Sequence, residues 1–151
     1  METKIYDFLQ KDAVHIRTAV FMEEQQFQNE FDEADQKCRH LVIYDMDMPI
    51  AACRVIRQDS RHYVIGRIAV VQPYRGKGIG RIVMNEAEKY IKKEDGVFVH
   101  LSAQVRVQAF YEKMGYVCEG ETYMDEHCPH IQMKKDLFGS YRKEKANEKS
   151  N

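Results

Sequence analysis

The sequence contains no apolar run approaching the roughly 18 residues that a membrane helix needs. Its N-terminus, "METKIYDFLQKD", has neither the basic start nor the apolar stretch of a secretory signal. Charge of one sign is lacking too: 23 Lys and Arg stand against 24 Asp and Glu. A net charge of −1 gives no global electrostatic reason to bind nucleic acid or an anionic membrane. There is no repeat and no internal linker, and no paired cysteines spaced as in zinc modules. The four cysteines (Cys38, Cys53, Cys118 and Cys128) lie in or beside apolar segments and read as reduced thiols of a cytoplasmic protein. With 31% charged and 11% aromatic residues over 151 positions, the composition is that of one ordinary globular domain able to bury a core.

The periodicities predict a mixed α/β domain over residues 1–138, followed by a charged, disordered tail over 139–151 ("GSYRKEKANEKSN"). Residues 2–6 read as an edge strand, and "DAVHIRTAVFMEEQ" as a helix carrying Ala13, Ile16 and Val20. "NEFDEADQK" reads as an acidic, irregular loop. "HLVIYD" and "PIAACRVIRQ" form a hairpin, and "HYVIGRIAVV" is a third strand. A helix follows with Ile79, Val83, Ala87, Tyr90 and Ile91 on one face, then "VFVHLSA" as a buried strand. "VRVQAFYEKMG" is a short helix whose stripe is Val107, Phe110, Tyr111 and Met114, and "YVCEG" and "PHIQMKK" close the domain. The order implies a mostly antiparallel mixed sheet flanked by helices, with one helical crossover between neighbouring strands.

The chemistry concentrates in "RIAVVQPYRGKGIGR", residues 67–81. A β-run stops at Pro73, and Gly76, Gly78 and Gly80 alternate among Arg75, Lys77 and Arg81 before a helix opens. Glycines let a ligand approach the backbone closely. The first N–H groups of a helix have no intrahelical partners and attract anions. Together these features suit a phosphate or pyrophosphate, while a plain glycine-rich turn with solvated basic residues also satisfies them. A P-loop would need Ser or Thr after Lys77, where Gly78 stands. A dinucleotide fingerprint would need glycine at Arg81.

Arg75-x-x-Gly78-x-Gly80 after "IAVVQPYR", with "AFYEKMGY" downstream, resembles the GNAT superfamily of acyl-CoA-dependent N-acetyltransferases. The likeness spans residues 3 to 135, and "HLSAQVRVQAFYEKMGYVCEGE" with "CPHIQMKK" looks closest to its small bacterial ElaA-like branch. The resemblance implies acetyl-CoA as co-substrate, its pyrophosphate cradled by the backbone of Arg75, Gly76, Lys77, Gly78, Ile79 and Gly80. Ile68, Ala69 and Val70 would pair with the pantetheine arm as with an added strand, and Gln104 would contact it. The Val70 N–H would polarise the thioester carbonyl. Tyr111 would be the general acid toward the departing sulfur, against the plain alternative of a core tyrosine. For the general base, Glu23, Glu24, Glu30, Glu33, His130 and an ordered water stay open.

Cys38-Arg-His40 and Cys128-Pro-His130 repeat a C-x-H pattern, but this spacing within strands is equally that of core packing, and no metal is expected. The reading is thus an N-acetyltransferase using a small-molecule or peptide amine by direct attack. A non-catalytic coenzyme A sensor is the alternative. A nucleic-acid module is disfavoured by the charge balance, and a homodimer is left open.

Overall fold

The computed structural model describes residues 1–139; apart from Gly139, the expected tail lies outside the described residues. Within these residues seven strands form one sheet in the order β1-β2-β3-β4-β5-β7-β6. They are β1 (Glu2–Tyr6), β2 (Arg39–Asp45), β3 (Met48–Arg57), β4 (His62–Val70), β5 (Phe98–Gln104), β6 (Val117–Asp125) and β7 (Cys128–Asp136). All neighbours are antiparallel except β4 and β5, which α2 (Ile79–Lys93) connects as the expected crossover. The other α-helices are α1 (Lys11–Arg17), prolonged by a π-helical turn over Thr18–Glu24, and α3 (Gln108–Lys113).

Alternation along the strands builds two cores. On one face α2 and α3 cover Leu41, Ile43, Ile65, Val99, Leu101 and Met133. On the other, α1 covers Val42, Tyr44, Ala52 and Ala69 with Phe21 and Phe27. The predicted stripe of α2 is buried except Tyr90, which is half-buried, and it also includes Met84 and Glu88. Glu88 is tolerated there because it accepts from Tyr116 at 3.0 Å and pairs with Lys135 at 2.7 Å. The segment read as a buried strand, β5, is buried on one face only: Ser102 is exposed, and His100 and Phe98 are half-buried. No helix of the described residues is long and apolar enough to cross a membrane. All four cysteines are free, and Cys118 is exposed on β6 rather than packed in an apolar segment.

One irregularity shapes the molecule. Ala52 pairs with Ala69 but Arg54 with Gly66, so β4 carries an extra residue, and Arg67 there has φ 53°. Such a bulge bends its strand. β4 stays paired with β5 only over His62–Val64 against Phe98–His100. Beyond that the two strands part, and the sheet splits into a wedge.

The acidic stretch expected to be an irregular loop folds inward. Glu33–Gln36 form a 3-10 turn, and Glu30 and Asp35 are buried. Arg17, only 1% exposed, binds Glu30 at 2.8 Å and Asp35 at 2.7 Å; Arg54 binds Asp32 at 2.7 Å and Asp35 at 3.1 Å. Burial acts to raise the Asp35 carboxyl. Hydrogen bonds from Arg17, the Asp32 backbone and Arg54 outweigh it and hold the group at about 2, below its ordinary 3.8.

A depressed carboxylate contributes stability that is present above its unfolded pKa and lost as pH falls through its folded one. Urea unfolding is therefore expected to show stability declining between pH 3.8 and about 2, with a shallower decline in Asp35→Asn. Glu30 works in the opposite sense at higher pH, because burial, against its arginine partners, raises its pKa. An Asp35→Asn profile as steep as the wild type would contradict the assignment.

Candidate functional site

The wedge between β4 and β5 is a cleft of about 480 Å³. Phe21, Gln25, Phe27, Asn29 and Glu30 line it from the α1 side, Gly66, Arg67 and Ile68 from β4, and Ser102 and Gln104 from β5. Arg106, Val107, Phe110 and Tyr111 line it from the α3 side, Arg75 and Gly76 from the glycine segment, and Asp125, Glu126 and His130 from the β6–β7 hairpin.

Local chemistry explains the glycine segment. Pro73 sits in a 3-10 turn over Gln72–Tyr74, and Gly78 is the N-cap of α2 with φ 78°. Gly76 is likewise left-handed at φ 75°. No side chain caps the helix, and a Cβ on either glycine would meet nothing within 4 Å. The first amides of a fifteen-residue helix are therefore open to an anion, with its dipole aligned on them. Arg75 stands beside this site, donating its two terminal nitrogens to the two Glu24 oxygens at 2.8 and 2.9 Å and its Nε to the Val70 carbonyl at 2.9 Å. Gly80 differs from the other two: a Cβ there would lie 3.4 Å from the Phe110 ring, so its smallness serves packing between α2 and α3.

The structure sorts the residues that the sequence singled out. Ile68, Arg75, Gly76, Gln104 and Tyr111 line the cleft. Lys77, Gly78, Ile79 and Gly80 form the turn and helix start beyond it; the Ile79 side chain is core, which leaves only its backbone on offer. Ala69 is buried against α1 and pairs with Ala52, and Val70 pairs with Ala51, so these two present backbone rather than side chain. Gln104 donates to Gln25 at 2.8 Å and accepts from Arg106, bridging the two walls of the cleft.

Tyr111 is 7% exposed, and its hydroxyl has no hydrogen-bond partner among the described residues. Burial raises its pKa far above the ordinary phenol, so it stays protonated at neutral pH. Of the proposed bases, Glu23 and Glu33 are exposed away from the cleft and Glu24 is taken by Arg75. Glu30 lines the cleft, but Arg17 and Arg67 hold its two oxygens at 2.8 and 3.2 Å. His130, 6% exposed, places Nδ1 2.9 Å from the Cys128 carbonyl. Nδ1–H is the donor in that contact, so in the neutral tautomer the lone pair lies on Nε2.

Asp35, Cys38 and His40 bring ligand-type atoms within 4.8 Å of one another, and Cys128 and His130 are not among them. His40 Nε2 donates to the Asp35 carbonyl at 2.8 Å and the Asp35 carboxylate is held by two guanidiniums, while the buried His40 Nδ1 has no hydrogen-bond partner among the described residues.

Four charged cleft residues, Arg67, Arg106, Asp125 and Glu126, carried no signal in the sequence. Glu126 occupies the β6–β7 turn at φ 52° and accepts the N–H groups of Gln28 and Asn29 at 2.9 and 3.0 Å, which roofs the cleft.

A model of the acetyltransferase (GNAT) domain matches residues 9–137. The "uncharacterized N-acetyltransferase YjcF" of Bacillus subtilis is 35% identical over 129 residues, covering 83% of this chain and 91% of its own. Among solved structures, ElaA of Escherichia coli superposes with a TM-score of 0.79 at 27% identity, over 89% of this chain and 99% of its own. An acyl-CoA N-acyltransferase from Pseudomonas aeruginosa gives 0.78 at 27% identity, over 89% and 98%.

Proposed function

The chain belongs to the GNAT acetyltransferase family, and from that premise we propose that it transfers the acetyl group of acetyl-CoA to a primary amine by direct attack in a ternary complex. One observation carries the reading: a single cleft runs from Arg75 and Gly76, next to the uncapped start of α2, to a buried, protonated phenol without a partner among the described residues. The backbone of Arg75 to Gly80 holds the pyrophosphate, with Arg75 adding charge once it leaves Glu24. The pantetheine arm lies along the β4 edge from Val70 to Ile68, which β5 has vacated. The Val70 N–H polarises the thioester carbonyl.

Transfer then needs a neutral amine, a polarised carbonyl and a proton for the departing sulfur. His130 Nε2 is the proton acceptor that the hairpin presents, and Tyr111 donates its phenolic proton to the thiolate as the C–S bond breaks. The new C–N bond forms directly between amine and acetyl group, so no acyl-enzyme intervenes.

Initial rates against both substrates are expected to give intersecting lines. Cys128, a half-buried thiol whose pKa burial raises, is a poor nucleophile. Cys128→Ser should keep the pattern and the turnover. Parallel lines, with a kinetically competent acetyl-cysteine, would replace direct attack by ping-pong chemistry.

A further inference from the structure

Arg67 occupies a position that asks for glycine. It follows Gly66 in the β4 bulge and sits at φ 53°, a left-handed conformation that a long side chain adopts at some cost. What the molecule gains there is a guanidinium in the cleft. Its Nε is spent on the Glu30 carbonyl at 3.0 Å and carboxylate at 3.2 Å, and one terminal nitrogen reaches Asp32 only at 3.4 Å. The other terminal nitrogen has no partner among the described residues, and 24% of the side chain is exposed.

Glu126 and Asp125 line the same cleft from the hairpin turn. Arg67 and Glu126 feel one another's charge, since Arg67 helps lower the Glu126 carboxyl after the Gln28 and Asn29 backbone bonds. Yet they form no ion pair: both are held by the 28–32 segment, Arg67 through Glu30 and Asp32, and Glu126 through the N–H groups of Gln28 and Asn29. The space between them has the Arg67 guanidinium, partly paired with Glu30 and Asp32, on the β4 side and two carboxylates on the hairpin side.

Resting on the acetyl-transfer reading, we propose that the acceptor is an amine that also bears a carboxylate, with Arg67 holding the carboxylate and the Asp125–Glu126 turn receiving the amino end. A guanidinium with one terminal nitrogen free and the other held only at 3.4 Å can turn its terminal edge to a carboxylate in a two-pronged bond, which a Lys ammonium reproduces only in part. His130 lines the cleft beside the same hairpin, where the amino end must lose its proton.

The test compares each of glycine, β-alanine, γ-aminobutyrate and phenylalanine with its own carboxamide as acceptor, by initial rate at saturating acetyl-CoA. The wild type is expected to favour the acid of at least one pair in kcat/KM by about fivefold or more, as one charge-assisted bond would give. Arg67→Gln should bring that ratio toward one, and Arg67→Lys should keep part of it. The ratio is internal to each variant, so a lower folded fraction cancels. A wild type with no preference for any acid, or a preference that survives in Arg67→Gln, overturns the proposal. Acetylation of carboxamides without preference for acids removes this inference alone. Acetyl-CoA binding with no acetylation of any primary amine removes the underlying reading as well.

Discussion

Tyr111→Phe is expected to lower kcat by at least about tenfold, a barrier of roughly 1.4 kcal/mol, with little change in acetyl-CoA affinity. The ring packs against Phe110 and Tyr116 with centroids 5.0 and 6.0 Å away, and phenylalanine keeps both contacts. The hydroxyl bonds to nothing else among the described residues, so its removal orphans no partner. What disappears is the proton at the departing sulfur. General acid catalysis is worth about 10²- to 10⁴-fold, and a thiolate leaves fairly well unaided, which sets the effect at or below the low end of that range. Stopped-flow or steady-state thiol release measures it. Wild-type turnover in a folded Tyr111→Phe enzyme would make this tyrosine a core residue only.

The second large effect concerns the coenzyme. Gly78→Val should raise the acetyl-CoA Kd at least about tenfold, because the added side chain stands over the helix-start amides, where a ligand must approach the backbone closely. A left-handed position also penalises any L side chain by about 1–2 kcal/mol, so strain must be separated from occlusion. Gly120 provides the control. It too is left-handed, at φ 74° with nothing within 4 Å of a Cβ, but it lies on β6 away from the cleft. Gly120→Val should carry comparable strain and bind acetyl-CoA as the wild type does. Equal affinity in Gly78→Val would take the pyrophosphate off this turn.

Much of the fold was legible in the sequence, and what was not has a physical reason. The strand–proline–glycine–helix order marked the crossover, because Pro73 and the glycines punctuate two clean periodicities. The two motifs flanking it carried the family, and the likeness to the ElaA-like branch reappears in the structure of ElaA itself. Pairings across the chain left no such trace. "NEFDEADQK" has the composition of a solvated loop, and only the fold brings Arg17 and Arg54 against its carboxylates. Glu126 roofs the cleft by reaching residues 97 and 98 positions away. The wedge itself depends on a bulge at Arg67, and a non-glycine residue at positive φ has no signature in a one-letter string. Single-sided burial of β5 follows from where α2 and α3 pack, which the apolar run of "VFVHLSA" alone did not reveal.

The central claim is that the cleft performs amine-dependent acetyl transfer. The most direct measurement follows free coenzyme A thiol and acetylated amine together, with acetyl-CoA and a panel of primary amines. The account predicts one thiol released per amine acetylated, at a rate that Tyr111→Phe reduces at least about tenfold. Tight acetyl-CoA binding without any amine-dependent thiol release would contradict it and leave a protein that senses the coenzyme without turning it over.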